Sequence, residues 1–440
     1  MTQRAAAAHR AIEAVWRIES ARLIAALARM VRDVGLAEEL AQDALVAALE
    51  RWPEAGVPDN PGAWLMATAR RRAIDQLRRG QLLDRKHQEL LRELEARQEQ
   101  AAADPEAALH DPVGDDLLRL IFISCHPVLP AEGRVALTLR LVGGLTTPEI
   151  ARAFLVPEPT MAQRIVRAKR TLSEARVPFE VPRGAALAAR LASVLEVIYL
   201  IFNEGYSATA GGDWMRPALA EEALRIGRIL AGLVPDEPEV HGLVALMEIQ
   251  ASRAAARSGP SGEPVLLMDQ DRARWDPVLV HHGLAALERA QALGGALGPY
   301  ALQAAIAACH ARARQPEDTD WPRIAALYDA LAQLAPSPVV ELNRAVALAM
   351  AFGPAVGLAH ADTLLAEPSL QGYHLLPAVR GDLLAKLGRP AEAGAELERA
   401  AALARNLRER ALLLDRAAAC ARQTAAAAPG GDRDRGGERP

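Results

Sequence analysis

The chain has 440 residues, 51% of them apolar and 24% charged, so it reads as a folded protein of two to four domains. Aromatics make up only 4% while alanine abounds, which favours close-packed helices over sheets. A net charge of −4 excludes a general polyanion binder, so any nucleic-acid surface is local, and the widely spaced Cys125, Cys309 and Cys420 argue against a disulfide framework or a zinc site and for a reducing cytoplasm.

Residues 11 to 34 carry an apolar stripe at Val15, Leu23, Ile24, Leu27, Val31 and Val34, which predicts a helix. A second helix is expected from about 36 to 51, with Leu36, Leu40, Ala44, Leu45 and Leu49 inside and Glu38, Glu39, Gln42 and Asp43 outside. Trp52-Pro53 is expected to end it. Asn60-Pro61 then signals a new helix, because Asn caps free amides and Pro suits the first turn. That helix holds Trp64, Leu65, Ile74 and Leu77, and bears Arg70, Arg71, Arg72, Arg78 and Arg79 against one acid, Asp75. Five arginines within ten residues bind phosphates strongly through counterion release. The plainer reading is a solvated helix end, where Arg complements the negative pole of the dipole.

An acidic helix, a Pro-rich loop and a Trp-containing arginine helix, carried by "ELAQDALVAALERW" and "PGAWLMATARRRAIDQLRR", together resemble domain 2 of bacterial sigma factors of the extracytoplasmic-function type. The resemblance implies that the acidic helix docks on the coiled coil of the RNA polymerase clamp. It implies that the loop and arginine helix recognise and open the promoter's melting element. Carried over, Glu38, Glu39, Gln42 and Asp43 face polymerase, and Asn60, Trp64, Arg70, Arg71, Arg72, Arg78 and Arg79 face DNA. Trp64 equally suits a core aromatic.

Residues 81 to 112 read as an acidic linker, with eight acids against four positives. Such a run is most often a solvated connector. In the resembling family the corresponding segment threads the polymerase cleft. Residues 115 to 142 predict two helices with Leu117, Leu120, Ile121, Leu137 and Leu141 inside, ended by Gly143-Gly144. Thr146 or Thr147 caps the next helix, with Glu149 completing a capping box. Ile150, Ala151, Phe154 and Leu155 point inward, and a turn at Val156 and Pro157 follows. The next helix starts near Glu158, with Met161, Ile165 and Leu172 inside and Thr160, Gln163, Arg164, Arg167, Lys169 and Arg170 on its other faces. This is the helix-turn-helix layout, whose second helix enters the major groove, and it resembles sigma domain 4. We assign Thr160, Gln163 and Arg164 to bases and Arg167, Lys169 and Arg170 mainly to phosphates.

Beyond residue 185 the chain stays helical. "RLASVLEVIYLIFNEGYSAT" is a very apolar helix expected to break at Asn203-Glu204-Gly205. "RSGPSGEP", residues 257 to 264, is a loop. In "LLMDQDRARWDP" the acids Asp269, Asp271 and Asp276 have no His or Cys at ligand spacing, so they suit a polar surface or a packing turn. From about 280 to 420 the chain repeats. Gly353 and Gly388 stand 35 residues apart, and Gly381, Gly388, Ala393, Leu397 and Ala400 follow tetratricopeptide spacing. Such an array takes a regulatory protein or peptide on its concave face, or serves as a scaffold. The tail "AAAAPGGDRDRGGERP" reads as disordered.

The expected fold is all-α, divided into sigma domain 2 (9–80), acidic linker (81–112), sigma domain 4 (113–178), a helical extension (185–280), tetratricopeptide-like repeats (281–422) and tail (423–440). The whole resembles the extracytoplasmic-function sigma factors with a long C-terminal extension, in which the extension is the regulator. That implies a cytoplasmic promoter-specificity subunit whose partners are core RNA polymerase and promoter DNA, with no membrane association, cofactor or metal. The alternative is a stand-alone helix-turn-helix regulator with a repeat-type sensor domain. An enzyme is disfavoured: the pairs His281-His282, Cys309-His310 and Cys125-His126 assemble no nucleophile, base and orienting group.

Overall fold

The structure, a computed structural model, describes residues 3–80, 113–154, 156–182, 184–208, 212–294 and 297–427. The acidic linker and most of the tail therefore lie outside the described residues, as does Leu155. Among the described residues the fold is all-α, and its one β feature is an isolated bridge between Ser258 and Pro264 within the predicted loop. The chain divides into two compact units, one of residues 1–201 and 225–234, the other of residues 202–224 and 235–440.

In the first unit, α1 (Gln3–Val31), α2 (Val34–Ala55) and α3 (Pro61–Gly80) pack on one another. Leu23, Ile24 and Leu27 of α1 are buried as the period requires. On α2 the expected inner face is rotated. Leu36 and Leu45 are half-buried and Leu49 is exposed, whereas Ala37, Ala41, Ala44, Ala47 and Ala48 are buried with Leu40. Small side chains let the helices approach closely, and packing follows that closeness rather than side-chain size. α2 also continues past Trp52-Pro53 to Ala55 and ends at Gly56, whose φ of 93° suits only glycine comfortably. Pro53 has no N–H to donate to the Leu49 carbonyl, so it weakens the last turn without ending it.

α4 (Val113–Ser124) packs on α1, and α5 (Ala131–Leu141) follows it. All five predicted core residues of this pair are buried, and Gly144, with φ of 70°, turns the chain beyond α5 as expected. The buried Asp116 joins α4 to α1 through Arg29, 3.2 Å away, and accepts from Arg119 at 2.6 Å. α6 (Thr147–Ala153) and α7 (Glu158–Glu174) form the helical pair, separated by four residues. The capping box falls on Thr146, whose hydroxyl accepts from the Glu149 amide while Glu149 reaches back at 2.7 Å.

α8 spans Ala185–Tyr206. It does not break at Asn203-Glu204-Gly205, because Gly205 there serves close packing rather than a turn: a Cβ would meet Ala220 Cα and Leu219 C at 2.9 Å. From Ala186 to Tyr206 this helix is long and apolar enough to cross a membrane by length and composition alone. Its first half is tied to the end of α4. Arg190 donates to the Phe122 carbonyl and Ser193 to the Cys125 carbonyl, both at 2.7 Å.

The second unit continues with α9 (Pro217–Leu233, shared with the first unit), α10 (Pro238–Ala251), α11 (Pro277–Ala292), α12 (Pro299–Arg312), α13 (Trp321–Leu334), α14 (Pro338–Phe352), α15 (Pro354–Asp362), α16 (Leu375–Lys386), α17 (Pro390–Leu403) and α18 (Leu407–Ala427). From α12 onward each helix packs on the next in sequence. Gly353 and Gly388 both adopt positive φ, 105° and 72°, after α14 and α16. Gly381, Ala393, Leu397 and Ala400 are buried where α16 meets α17. Asp271 and Asp276 cap the turns they begin, which accounts for two of the three clustered acids. α18 extends to residue 427, so residues 423–427 are helix rather than tail.

Candidate nucleic-acid interface

α3 begins where Asn60 Oδ1 accepts the Ala63 amide at 3.0 Å, so this residue's side chain is engaged as a helix cap. Trp64 is half-buried and meets the buried Trp52 edge-on, with centroids 5.4 Å apart. Its ring is thus partly core, in a geometry worth about 0.5–1.5 kcal/mol beyond area burial. The arginines do not share one face. Arg71 and Arg78, one heptad apart, are exposed. Arg72 is half-buried and lies 3.3 Å from Asp43. Arg70 turns inward, where burial, followed by the neighbouring Arg29, lowers its pKa. The side chain of Arg79 lies outside the described residues.

On α2, Glu39 and Asp43 are exposed and Gln42 is half-buried. Glu38 is not on the outer face: it is 3% exposed. One carboxylate oxygen accepts from Arg140 Nε at 2.6 Å and from Gln42 Nε2 at 2.7 Å, and the other is ion-paired with Lys169. The rotation of α2 onto its alanine face carries Glu38 inward, and two cations from α5 and α7 accompany it. Asp33, the N-cap of α2, also accepts from Ser173 of α7 at 3.1 Å.

On α7, Met161, Ile165, Ala168 and Leu172 are buried at the 4-3-4 spacing of one helical face. Opposite them Thr160, Gln163, Arg167 and Arg170 are exposed and share a stripe. Arg164 flanks this stripe, half-buried and 3.1 Å from Glu132. Arg170 pairs loosely with Glu174 at 3.5 Å. Lys169 leaves the stripe for Glu38. The structure therefore gathers four of the six residues assigned to DNA on one open face, sets Arg164 at its edge and engages Lys169 elsewhere. Sequence reasoning missed Arg140, whose partner stands 102 positions away.

Residues 17–82 match the family model described as sigma-70 region 2, residues 119–172 that described as sigma-70 region 4, and residues 190–291 a family of unknown function, DUF6596. An uncharacterized protein of Rhizobium meliloti (strain 1021) is 46% identical over 389 residues, covering 88% of this chain and 90% of that protein. A probable ECF RNA polymerase sigma factor, SigI, of Mycobacterium tuberculosis (strain ATCC 25618 / H37Rv) is 28% identical over 169 residues, which is 38% of this chain and 57% of the relative. An ECF RNA polymerase sigma factor, SigK, of Mycobacterium sp. (strain KMS) is 29% identical over 152 residues, 33% of this chain and 72% of the relative. No solved structure matches.

Proposed function

We propose that this chain is an RNA polymerase sigma factor of the extracytoplasmic-function type, directing promoter-specific initiation in the cytoplasm with a regulator built into its own C-terminal half. The observation that carries the reading is the α7 stripe. Thr160, Gln163, Arg167 and Arg170 stand exposed opposite a fully apolar face, on the second helix of a capped helical pair. Side chains of this kind suit base edges and phosphates in a major groove. Arg71, Arg78 and the half-buried Trp64 suit a melted strand, where cationic and aromatic groups act together. Glu39 and Asp43 form the outward acidic edge of α2 for polymerase docking. The protein supplies contacts and strand separation, and polymerase supplies the catalysis.

The successive helices from α13 to α18, with their glycine-ended turns 35 positions apart, support a tetratricopeptide-like array that receives a regulatory peptide or protein. Co-elution of the full-length protein with bacterial core RNA polymerase on a sizing column tests the reading. Stable association is expected, with loss in a Glu39→Arg, Asp43→Arg variant that leaves circular dichroism unchanged. Absence of association by the wild-type chain would refute it.

A further inference from the structure

The second unit contains a column of alternating rings and guanidinium groups. Arg257 lies 3.5 Å from the ring centroid of Tyr206 and 5.2 Å from that of Trp214. Arg253 lies 5.8 Å from Tyr206 and 5.7 Å from Trp275, and Arg272 lies 5.2 Å from Trp275. All six side chains come from the segment that matches the family of unknown function. Such cation–ring contacts are attractive, the more so where water is excluded. They do not neutralise charge. None of the three arginines is paired with a carboxylate among the described residues; Glu317 and Asp318 act on Arg272 only through space.

The donors of this column exceed its acceptors. Arg257 donates to the Tyr206 carbonyl at the end of α8. Arg272 donates to the carbonyls of His310 at 2.7 Å and Ala313 at 2.6 Å, closing the end of α12, and to Thr319 Oγ1 at 3.1 Å. Those two arginines thus have a helix-capping role that needs no ligand. Arg253, between them, has no such role, and its Nε is buried without an acceptor. The same holds for Arg272 Nε, Trp275 Nε1, Trp214 Nε1 and His310 Nδ1. Burial pushes Arg257 down to about 10, and burial with Arg253 and Arg272 nearby pushes His310 down to about 4, so the imidazole adds no charge near neutrality. Buried donors without acceptors and buried cations without anions are each destabilising. What the column lacks is negative charge and oxygen lone pairs.

We propose that Arg253, flanked by Tyr206 and Trp275 and backed by Arg257 and Arg272, is the centre of a binding site for a phosphate-bearing small molecule. A phosphate group brings up to two negative charges and several acceptor oxygens, and it meets a guanidinium fork in bidentate fashion. Arg253 and Arg272 are half-buried, so the column has an edge open to solvent. Occupancy ties the end of α8 to the loop after α10 and to α12. The site is independent of the transcription reading above, and its test uses no polymerase.

The test is calorimetric titration and thermal melting of the full-length protein with pyrophosphate, against citrate and sodium chloride at matched ionic strength. Saturable one-to-one binding of pyrophosphate is expected, with a rise in melting temperature that citrate and chloride do not give. Arg253→Met keeps the stacked volume and removes the charge; it should weaken binding at least tenfold while the ligand-free melt stays near wild type. Arg253→Lys, which keeps charge but not the fork, should fall between. Absence of saturable binding, an equal response to citrate, or unchanged binding by a folded Arg253→Met variant would each overturn the proposal.

Discussion

Replacing Glu38 by Gln removes one charge from the contact that joins α2 to α5 and α7. A carboxylate removed from a fully buried ion cluster costs about 3–5 kcal/mol, whereas an exposed pair is worth less than about 1 kcal/mol. Here the carboxylate side chain is 3% exposed while Arg140 and Lys169 keep 20% and 21%. That intermediate burial places the loss at about 2–3 kcal/mol, since both cations regain part of their hydration. Lys169→Met should cost less, about 1–2 kcal/mol, because Glu38 retains Arg140 and Gln42. The double variant should cost less than the sum by at least about 1 kcal/mol. A chain of two compact units falls outside the two-state assumption that serves small single domains. Amide hydrogen exchange over α2 and α7 is therefore the suitable assay, because it reports the opening free energy of those helices separately. Glu39→Gln, one position away and exposed, is the control and should change exchange by less than about 0.5 kcal/mol. Additivity within about 0.5 kcal/mol would refute the claim that Glu38 and Lys169 form one buried cluster.

Arg164→Ala should cost roughly 1–3 kcal/mol in promoter binding and relax one base position, while Arg167→Ala should weaken all sequences evenly; a promoter-variant binding panel distinguishes them. Gly205→Ala should destabilise the second unit by about 2 kcal/mol or more, seen as a lowered melting temperature, because the added Cβ meets helix backbone that cannot turn aside. His310 has a pKa depressed to about 4 in the folded chain against 6.5 unfolded. Its contribution is therefore intact above 6.5 and is lost as pH falls toward 4, up to about 3 kcal/mol; urea unfolding of His310→Asn in phosphate-free buffer should show a flatter acid limb than wild type.

Signals that act over a few residues were legible in the sequence. The capping box at Thr146 and Glu149, the Asn60 cap and the glycine end at Gly144 each depend on neighbours within one turn, and each appears where expected. The inner face of α7 was legible because Met161, Ile165 and Leu172 stand out from a polar background. α2 offered no such contrast. Alanine and leucine alternate through it, and the choice of face depends on how closely α1 approaches, which one helix does not encode alone. The same limit hid the arginine column, whose partners Tyr206 and Arg257 lie 51 positions apart. Gly205 misled for a related reason: glycine serves both turns and close contacts, and only the partner helix tells them apart.

The placement of Lys169 bears on how the proposed DNA surface works. Six polar residues of α7 were assigned to the groove, and four are ready on its open stripe. Arg164 can be recruited at small expense, since its partner Glu132 is largely exposed and such pairs are worth less than about 1 kcal/mol. Lys169 is different, because its release removes one of the two cations that accompany the buried carboxylate of Glu38. A phosphate contact by Lys169 must therefore recover the free energy of its pair with Glu38 before it adds affinity, and each 1.4 kcal/mol it fails to recover lowers apparent binding about tenfold. The α7 stripe can engage a groove with the first unit as it stands. A contact that includes Lys169 requires its ammonium to leave Glu38, so the two modes differ by the free energy of that one ion pair.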